Sequence, residues 1–98
     1  PTVATLLPGT MLFLGRERQA PARALIEAGA AVALATDANP GTSPMLNLGI
    51  ILTLGVSVLR LRVAEVLTAA TVNGAAALGL ADRVGRLAVG CSADIALW

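Results

Sequence analysis

The sequence predicts an α/β fold in which βα units are followed by a short β tail. Residues 2–7 form a short apolar run that predicts a buried strand. Residues 31–36 are apolar without alternation, which is typical of a strand buried on both faces in a parallel sheet. Segments of helical character, marked by Pro at their starts and Gly at their ends, lie between and after these strands. In residues 84–98, short β-prone runs separated by Gly indicate strands in a different layer. The predicted order of elements is therefore β-α-β-α-α-α-β-β.

Pro and Gly set the predicted boundaries of the first βαβ unit. The first strand ends at Pro8-Gly9, a turn signal, and residues 11–19 are expected to form a loop with one helical turn. Pro21 suits the first position of a helix, where its missing N–H is not needed, and this helix runs to about residue 28. Gly29 then ends the helix and the second strand follows.

Three further helices are predicted after the second strand. The longest begins with Pro44 at its first position and Ser43 as its cap, and it continues to about Leu59. The next two helices cover about residues 63–70 and 73–78.

Composition and charge exclude several classes of protein. An apolar fraction of 56% excludes intrinsic disorder. The seven arginines are scattered, and with one Phe, one Trp and no Tyr the chain lacks the basic stripe and stacking aromatics that nucleic-acid binding needs. The uncharged run over residues 38–59 begins with a turn sequence. Its helix-compatible part, residues 45–59, is shorter than the roughly 18–20 residues that cross a bilayer, so we expect no membrane span.

The cysteine and histidine content and the first residue indicate the cellular compartment of the protein and whether the chain is part of a longer one. A single Cys91 cannot form an internal disulfide, and a lone thiol fits a reducing cytoplasm. The chain has no His, which is the commonest metal ligand and general base. Because the chain starts at Pro1 rather than Met and has no leader pattern, we interpret it as an excerpt of a longer protein.

Candidate chemistry lies where the second strand ends. In α/β sheets and βα barrels, active groups gather at the carboxyl ends of the strands. The first such end, residues 7–10, contains nothing titratable. The second places Asp37 where the buried strand emerges, and its carboxylate is suited to ligate a metal or accept a proton. The alternative is an Asx turn that caps the following loop.

The loop after Asp37 predicts an anion site or a plain tight turn. Asn39-Pro40-Gly41 is strong turn chemistry, and a glycine lets backbone approach a ligand closely. The N–H groups of Gly41, Thr42 and Ser43 lead into the predicted helix start, where the positive end of the helix dipole favours an anion such as a substrate carboxylate.

The remaining carboxylates are interpreted as structural or solvated. Arg23 and Glu27 are spaced for a weak surface ion pair on one helix. Asp94 is expected to accept hydrogen bonds in a turn that fixes the tail strands. The other carboxylates occupy positions typical of solvated faces, namely Glu17, Glu65 and Asp82.

Several segments together resemble one enzyme family. Residues 33–44, Ala-Leu-Ala-Thr-Asp-Ala-Asn-Pro-Gly-Thr-Ser-Pro, resemble the eighth-strand motif of imidazolonepropionases, members of the amidohydrolase superfamily. Residues 4–10 resemble that family's seventh strand, and residues 20–29 resemble the helix between the two strands. Residues 64–94 resemble the C-terminal tail, a pattern that many amidohydrolases share. The Asp-x-Asn-Pro-Gly-Thr block is what narrows the resemblance to imidazolonepropionases.

This resemblance implies a fold and a reaction. Residues 1–80 would be the last two βα units of a (β/α)8 metal-dependent hydrolase barrel, and residues 81–98 the return strands of a small β-sandwich domain. The reaction would be hydrolysis of the ring amide of 4-imidazolone-5-propanoate to N-formimidoyl-L-glutamate in histidine degradation. One zinc or iron ion would activate the water. A cytoplasmic homo-oligomer is expected, whose partners are a small-molecule substrate and the remainder of the parent polypeptide, with no nucleic acid and no membrane.

The resemblance also assigns site residues. Asp37 would bind the metal and shuttle the proton, and Asn39, Gly41 and Thr42 would hold substrate or product. One departure is Arg62-Val63, which replaces the usual Ser/Thr-Pro helix start, so the helix over residues 63–70 is expected to lack a cap and to fray. Without His ligands, the chain alone is expected to bind no metal tightly and to hydrolyse nothing.

Three alternative functions stay open from the sequence alone. A related amidohydrolase with a different ring substrate fits the same tail pattern. A non-catalytic module that binds a carboxylate or phosphate in the loop of residues 39–43 is a second alternative. A structural segment, whose open strand edges and apolar helix dock against another chain, is the third.

Overall fold

A computed structural model describes residues 2–97 of the chain. Within them the elements alternate as an α/β fold, with two parallel strands and five helices. In chain order these are β1 Val3–Leu6, α1 Pro8–Phe13, α2 Ala22–Glu27, β2 Ala31–Leu34, α3 Leu48–Ser57, α4 Val63–Ala70 and α5 Val72–Ala77.

The sheet consists of β1 and β2 in parallel register. Val3 is opposite Ala31, and Leu6 is opposite Leu34. The Ala35 N–H donates to the Leu6 carbonyl at 3.2 Å, which extends the ladder by one residue. Three of the four β2 side chains are buried, as the lack of alternation predicts for a strand covered on both faces. Because the strands are parallel, their carboxyl ends lie at the same edge of the sheet.

Two helices, rather than one, connect the strands. The predicted turn at Pro8-Gly9 is wrong, because α1 begins at Pro8, a residue with the fixed φ of a first helical position. Gly9 is buried there, and a Cβ on it would lie 2.8 Å from Ile51 Cδ1. The second connecting helix, α2, confirms the helix predicted near residues 21–28, and Gly29 follows it at φ +81°.

The start of α3 differs from the prediction. The helix begins at Leu48, not Pro44, and Asn47 is its N-cap, whose Oδ1 accepts the Gly49 N–H at 2.7 Å. Ser43 does not cap a helix, because its hydroxyl donates to the Thr36 carbonyl at 2.7 Å. This hydrogen bond to the end of the preceding strand segment, seven residues away, therefore replaces the local cap that the sequence predicts.

The two helices that follow are confirmed. The structure reproduces the predicted bounds of α4, and α5 begins one residue earlier than expected. Helix α4 packs on α3 at Gly55, where an added Cβ would lie 2.9 Å from Val66 Cγ2 and 3.0 Å from Leu34 Cδ1. The glycine thus permits the two helices and β2 to approach closely.

The core lies between the sheet and the helices. Ile51 at its centre is fully buried. The buried cluster draws on both strands, on α2, α3 and α4, and on the connection from α3 to α4, with members Leu6, Ala22, Val32, Leu34, Ile51, Leu59, Leu61, Val66 and Ala69. Leu25 and Ile26, the predicted apolar face of α2, pack against it.

The predicted tail strands are absent from the part of the chain that the structure describes. Residues 84–97 contain turns and irregular backbone, with Gly85 and Gly90 at positive φ. The Ser92 N–H donates to the Arg83 carbonyl at 2.8 Å, which folds the segment back on itself. A strand is stable only when its backbone groups pair with another strand, and this segment has no such partner among residues 2–97.

Candidate functional site

The shared carboxyl edge of the sheet brings Thr10 and Asp37 together. Thr10 is the third residue of α1, and Asp37 follows the end of β2 by three residues. The Thr10 hydroxyl donates to Asp37 Oδ2 at 2.9 Å across a sequence separation of 27 residues. Asp37 is exposed, and its Oδ1 has no hydrogen-bond partner within residues 2–97. The structure therefore places this carboxylate where the sequence predicts it, just after the carboxyl end of β2.

The backbone at Asp37 has a left-handed conformation. Its φ is +52°, a region that side chains other than Gly, Asn and Asp seldom adopt. The Asn39 Nδ2 group donates to the Asp37 carbonyl at 2.6 Å. This hydrogen bond, inside the loop, holds the conformation that turns the chain after the strand.

The side-chain amide of Asn39 organises the loop from inside. Its Oδ1 accepts the Gly41 N–H at 3.0 Å and the Thr42 N–H at 2.8 Å. Its Nδ2 reaches Thr42 Oγ1 at 2.9 Å as well as the Asp37 carbonyl. An amide has two N–H donors and one oxygen with two lone pairs, so all of its capacity is used within the loop.

These contacts contradict the expectation of free N–H groups for an anion. The Gly41 and Thr42 N–H groups already donate to Asn39 Oδ1, and the Ser43 N–H donates to the Asn39 carbonyl at 3.3 Å. No helix begins at Pro44, so the dipole of α3 does not act at this loop. The loop is a closed turn, which was the alternative interpretation of its sequence.

Two shallow surfaces flank the segment that carries Asp37. One is a largely apolar groove of about 580 Å³ along the strand ends, whose lining includes Ala35, Thr36, Leu48 and Leu78. The other is a depression of about 310 Å³ on the loop, lined by residues that include Ala38 and Asn39. Asp37 itself lines neither surface.

The described residues do not by themselves form a metal centre. Among residues 2–97 no three His, Cys, Asp or Glu side chains lie close enough to hold one ion. The Asp37 carboxylate fits as one ligand, since carboxylate oxygen is an accepted donor for zinc and iron. The other donors would have to come from outside these residues.

A second polar cluster, away from the loop, joins α2 to α4. Arg23 forms a bidentate ion pair with Glu65, with distances of 2.9 Å from Nη1 to Oε1 and 2.7 Å from Nη2 to Oε2. The Arg62 guanidinium also contacts Glu65 at 2.8 Å. The hydrogen bonds from the Arg23 side chain, the Arg62 side chain and the Arg62 backbone hold the pKa of Glu65 well below its ordinary value.

This cluster corrects three predictions. Arg23 pairs with Glu65 rather than with Glu27. Glu65 is not on a solvated face, because its side chain is 15% exposed. The start of α4 is not left open either, since Glu65, at the third helical position, accepts the Arg62 N–H at 2.8 Å. A signal for this existed in the sequence, because an acidic residue at that position is typical of a capping box.

Thr10 is the residue near Asp37 that the sequence interpretation missed. A threonine hydroxyl does not titrate in the ordinary pH range, so the pattern of titratable groups at the first strand end does not indicate Thr10. A signal was available, because Thr10 follows β1 by four residues much as Asp37 follows β2 by three. In a parallel pair these two positions lie at the same edge.

A parallel βα arrangement with polar side chains at the carboxyl ends of its strands is typical of barrel and open-sheet hydrolases. Residues 3–98 match the amidohydrolase family, and the chain belongs to that family. Within the described residues, no helix has the length and apolar character required to cross a membrane.

The relatives narrow the comparison to one kind of amidohydrolase. The chain is 50% identical over 97 residues to an imidazolonepropionase of Agrobacterium fabrum, covering 99% of this chain and 23% of the relative. It is 53% identical over 96 residues to an imidazolonepropionase of Anaeromyxobacter dehalogenans, covering 98% and 23%. For the imidazolonepropionase of Bacillus velezensis the identity is 44% over 97 residues, covering 99% and 23%. The chain thus spans about a quarter of the length of these curated relatives.

Proposed function

We propose that the protein carrying this chain is a metal-dependent cyclic-amide hydrolase that acts on 4-imidazolone-5-propanoate and gives N-formimidoyl-L-glutamate. The observation that carries this proposal is the 44–53% identity to imidazolonepropionases along almost the whole chain. Residues 1–80 are then the last βα units of the hydrolase barrel, and residues 81–98 belong to a small β domain. We further propose that the protein is cytoplasmic, which the lone thiol of Cys91 suits, and that it forms a homo-oligomer.

A zinc or iron ion would supply an activated water when bound. In this proposal Asp37 is one of its ligands, and the other donors lie in the remainder of the polypeptide. The fit rests on Asp37 having one carboxylate oxygen bonded to Thr10 and the other without a partner among residues 2–97.

In this proposal Asp37 transfers a proton during the reaction, and residues of the following loop position the substrate. Asp37 takes a proton from the attacking water and returns it to the leaving nitrogen of the opened ring. The carboxylate is suited to this because it stands at the strand ends, exposed to a ligand above the sheet.

Asn39, Gly41 and Thr42 are proposed to contact the substrate. Because the N–H groups of Gly41 and Thr42 donate to the Asn39 amide, a substrate carboxylate would have to replace that amide as their acceptor. That exchange would also break the hydrogen bond from Asn39 Nδ2 to the Asp37 carbonyl, so we propose that the loop stays closed when the substrate binds. The substrate would then contact the outer surface of the closed turn.

Hydrolysis of 4-imidazolone-5-propanoate by the complete polypeptide tests the proposal, with Asp37→Asn as the informative variant. The amide keeps the shape of the side chain but neither carries its charge nor accepts a proton in the same way. We expect turnover to fall by about 100-fold or more, the scale of a lost acid–base group. The loss of ring absorbance with time is the measurement.

Asp82→Asn is the matched control, because Asp82 is also an exposed carboxylate but lies in the tail. It should keep wild-type turnover. A complete polypeptide that leaves the imidazolone intact would contradict the proposed substrate. An Asp37→Asn variant as fast as Asp82→Asn would contradict the role of Asp37 while leaving the substrate assignment in place.

A further inference from the structure

We infer that Thr10 is a positioning residue for Asp37, holding one carboxylate oxygen so that the other faces the reacting ligand. This inference rests on the proposed function. It starts from the hydrogen bond of 2.9 Å between Thr10 Oγ1 and Asp37 Oδ2, the contact that joins the ends of the two strands through side chains. The hydroxyl is the donor here because an ionised carboxylate can only accept.

The donor is held by the packing of the first turn of α1. Pro8 and Gly9 precede Thr10 and are buried. The backbone of Gly9 lies so close to α3 that an added Cβ would be 2.8 Å from Ile51 Cδ1 and 3.5 Å from Ser43 Oγ. A side chain that follows such a packed turn has little freedom to move away, so the hydroxyl stays near the carboxylate.

The acceptor is fixed at a second point. The Asp37 backbone is in the left-handed region, and its carbonyl accepts the Asn39 Nδ2 group at 2.6 Å. With the backbone held by Asn39 and Oδ2 held by Thr10, rotation of the carboxylate about its own bonds is restricted. Oδ1 is then the oxygen left for a ligand, because it has no hydrogen bond within the described residues.

The exposure of Asp37 explains why a hydrogen bond from Thr10 would help the reaction. An exposed carboxylate samples several rotamers, and each one that does not face the ligand lowers the fraction of competent molecules. A neighbouring hydroxyl that selects one rotamer removes that loss. Partners of this kind, which orient a ligating or reacting carboxylate, typically change metal affinity or activity by about 10–100-fold when they are removed.

The test compares Thr10→Val, which has the same shape without the hydroxyl, with Thr10→Ser, which keeps it. In the complete polypeptide, Thr10→Val should lower kcat for 4-imidazolone-5-propanoate by about 10-fold while KM changes less than about twofold. Thr10→Ser should recover most of kcat. Zinc affinity, measured by competition with a chromophoric chelator, should fall about 10-fold in Thr10→Val and recover in Thr10→Ser.

Thr68→Val is the matched control, since the Thr68 hydroxyl donates to the Ala64 carbonyl inside α4. It should leave kcat and zinc affinity unchanged. Thr10→Val behaving like Thr68→Val, or Thr10→Ser as impaired as Thr10→Val, would overturn the inference. If Thr10→Val does not fold by circular dichroism, Thr10→Ala takes its place with the same expected losses. A wild-type protein without hydrolysis overturns the proposed function instead, and the zinc comparison then decides the role of Thr10.

Discussion

Glu65 links α2 to the start of α4 through one carboxylate. It accepts hydrogen bonds from Arg23 on α2, from the Arg62 side chain and from the Arg62 backbone at the start of α4. Arg23 also donates to the Arg60 carbonyl at 3.3 Å, in the connection that follows α3. The pKa of both arginines is raised, chiefly by their hydrogen bonds to Glu65. The geometry is bidentate and shared, which is the arrangement in which a surface ion pair contributes to stability.

Glu65→Gln should destabilise the protein at neutral pH and flatten the acid side of its stability profile. The lowered pKa means that the charged form is favoured by folding, so the stabilisation is fully present above the ordinary value of 4.5. It is lost progressively as the pH falls below 4.5 toward the lower pKa of the folded state. The advantage of wild type over Glu65→Gln should therefore be greatest near about pH 7 and shrink below about pH 4.

Urea unfolding at a series of pH values is the measurement for Glu65→Gln. Glu27→Gln is its control, because Glu27 is an exposed carboxylate on the same helix as Arg23 and makes no ion pair among the described residues. The control should follow wild type at every pH. A difference between wild type and Glu65→Gln that stays constant from neutral to acidic pH would contradict the ionic origin of the effect.

At the residue scale the sequence predicted one partner of each contact and missed the other. Asp37 was identified because a carboxylate at the end of a buried strand is a local pattern. Thr10 and Glu65 were not, because their importance depends on groups 27 and 42 residues away in the chain. Each of the two residues has a local signal in the sequence, but which distant group it pairs with is set by the packing of the strands and helices.

The ends of a helix were predictable from the sequence where neighbouring residues alone determine them. The bounds of α4 follow from an uninterrupted run of helix-compatible residues that starts after Arg62. The start of α3 could not be predicted in the same way. Ser43 and Pro44 form a good local helix start, but the fold uses the Ser43 hydroxyl for the Thr36 carbonyl, and Asn47 caps the helix instead. A tertiary hydrogen bond overrode a local preference.

Gly55→Ala should destabilise the packing of α3 on α4 and β2. The added methyl group would lie 2.9 Å from Val66 Cγ2 and 3.0 Å from Leu34 Cδ1, both in the core. Relieving that overlap requires the helices to move apart, and overpacking of this kind costs about 1–3 kcal/mol. The better helix propensity of Ala offsets only about 0.5–1 kcal/mol of this. The free energy of unfolding in urea is the measurement.

Gly74→Ala serves as the comparison for Gly55→Ala. Gly74 is also inside a helix, but a Cβ there would meet its nearest atom, the Ala69 carbonyl oxygen, at 3.5 Å, which is ordinary contact. The substitution should be neutral or should stabilise the protein by about 0.5–1 kcal/mol. If Gly55→Ala proved as harmless as Gly74→Ala, the close approach of α3 to α4 would not be a constraint.

At the scale of the whole molecule, the sheet formed within residues 2–97 has two strands, and a side chain from a helix bonds to the edge of one of them. Asn73 of α5 donates through Nδ2 to the Val32 carbonyl of β2 at 2.8 Å, so a side chain occupies part of a strand edge. Several large apolar side chains are nevertheless exposed, among them Leu46, Leu78 and Leu87. The α/β class and the parallel pairing were predictable from the apolar runs, and β2 is buried as expected, whereas in β1 only Leu6 is buried, so the prediction of a buried first strand is wrong for the rest of β1. The tail strands were not, since a β-prone run forms a strand only against a partner.

The composition of the chain limits what these 98 residues can do with a metal ion. There is no His anywhere in the sequence, and the structure of residues 2–97 brings no three metal-ligating side chains together. A zinc site needs three or four such ligands, and one carboxylate supplies far less binding free energy than a complete site.

The purified 98-residue chain should therefore bind zinc more weakly than about 1 µM, measured by competition with a chromophoric chelator. The chain with Asp37→Asn should bind as weakly as wild type, because a lone ligand contributes little. A stoichiometric zinc complex of micromolar affinity that disappears in Asp37→Asn would contradict this, and would mean that Asp37 finds further ligands within the chain itself.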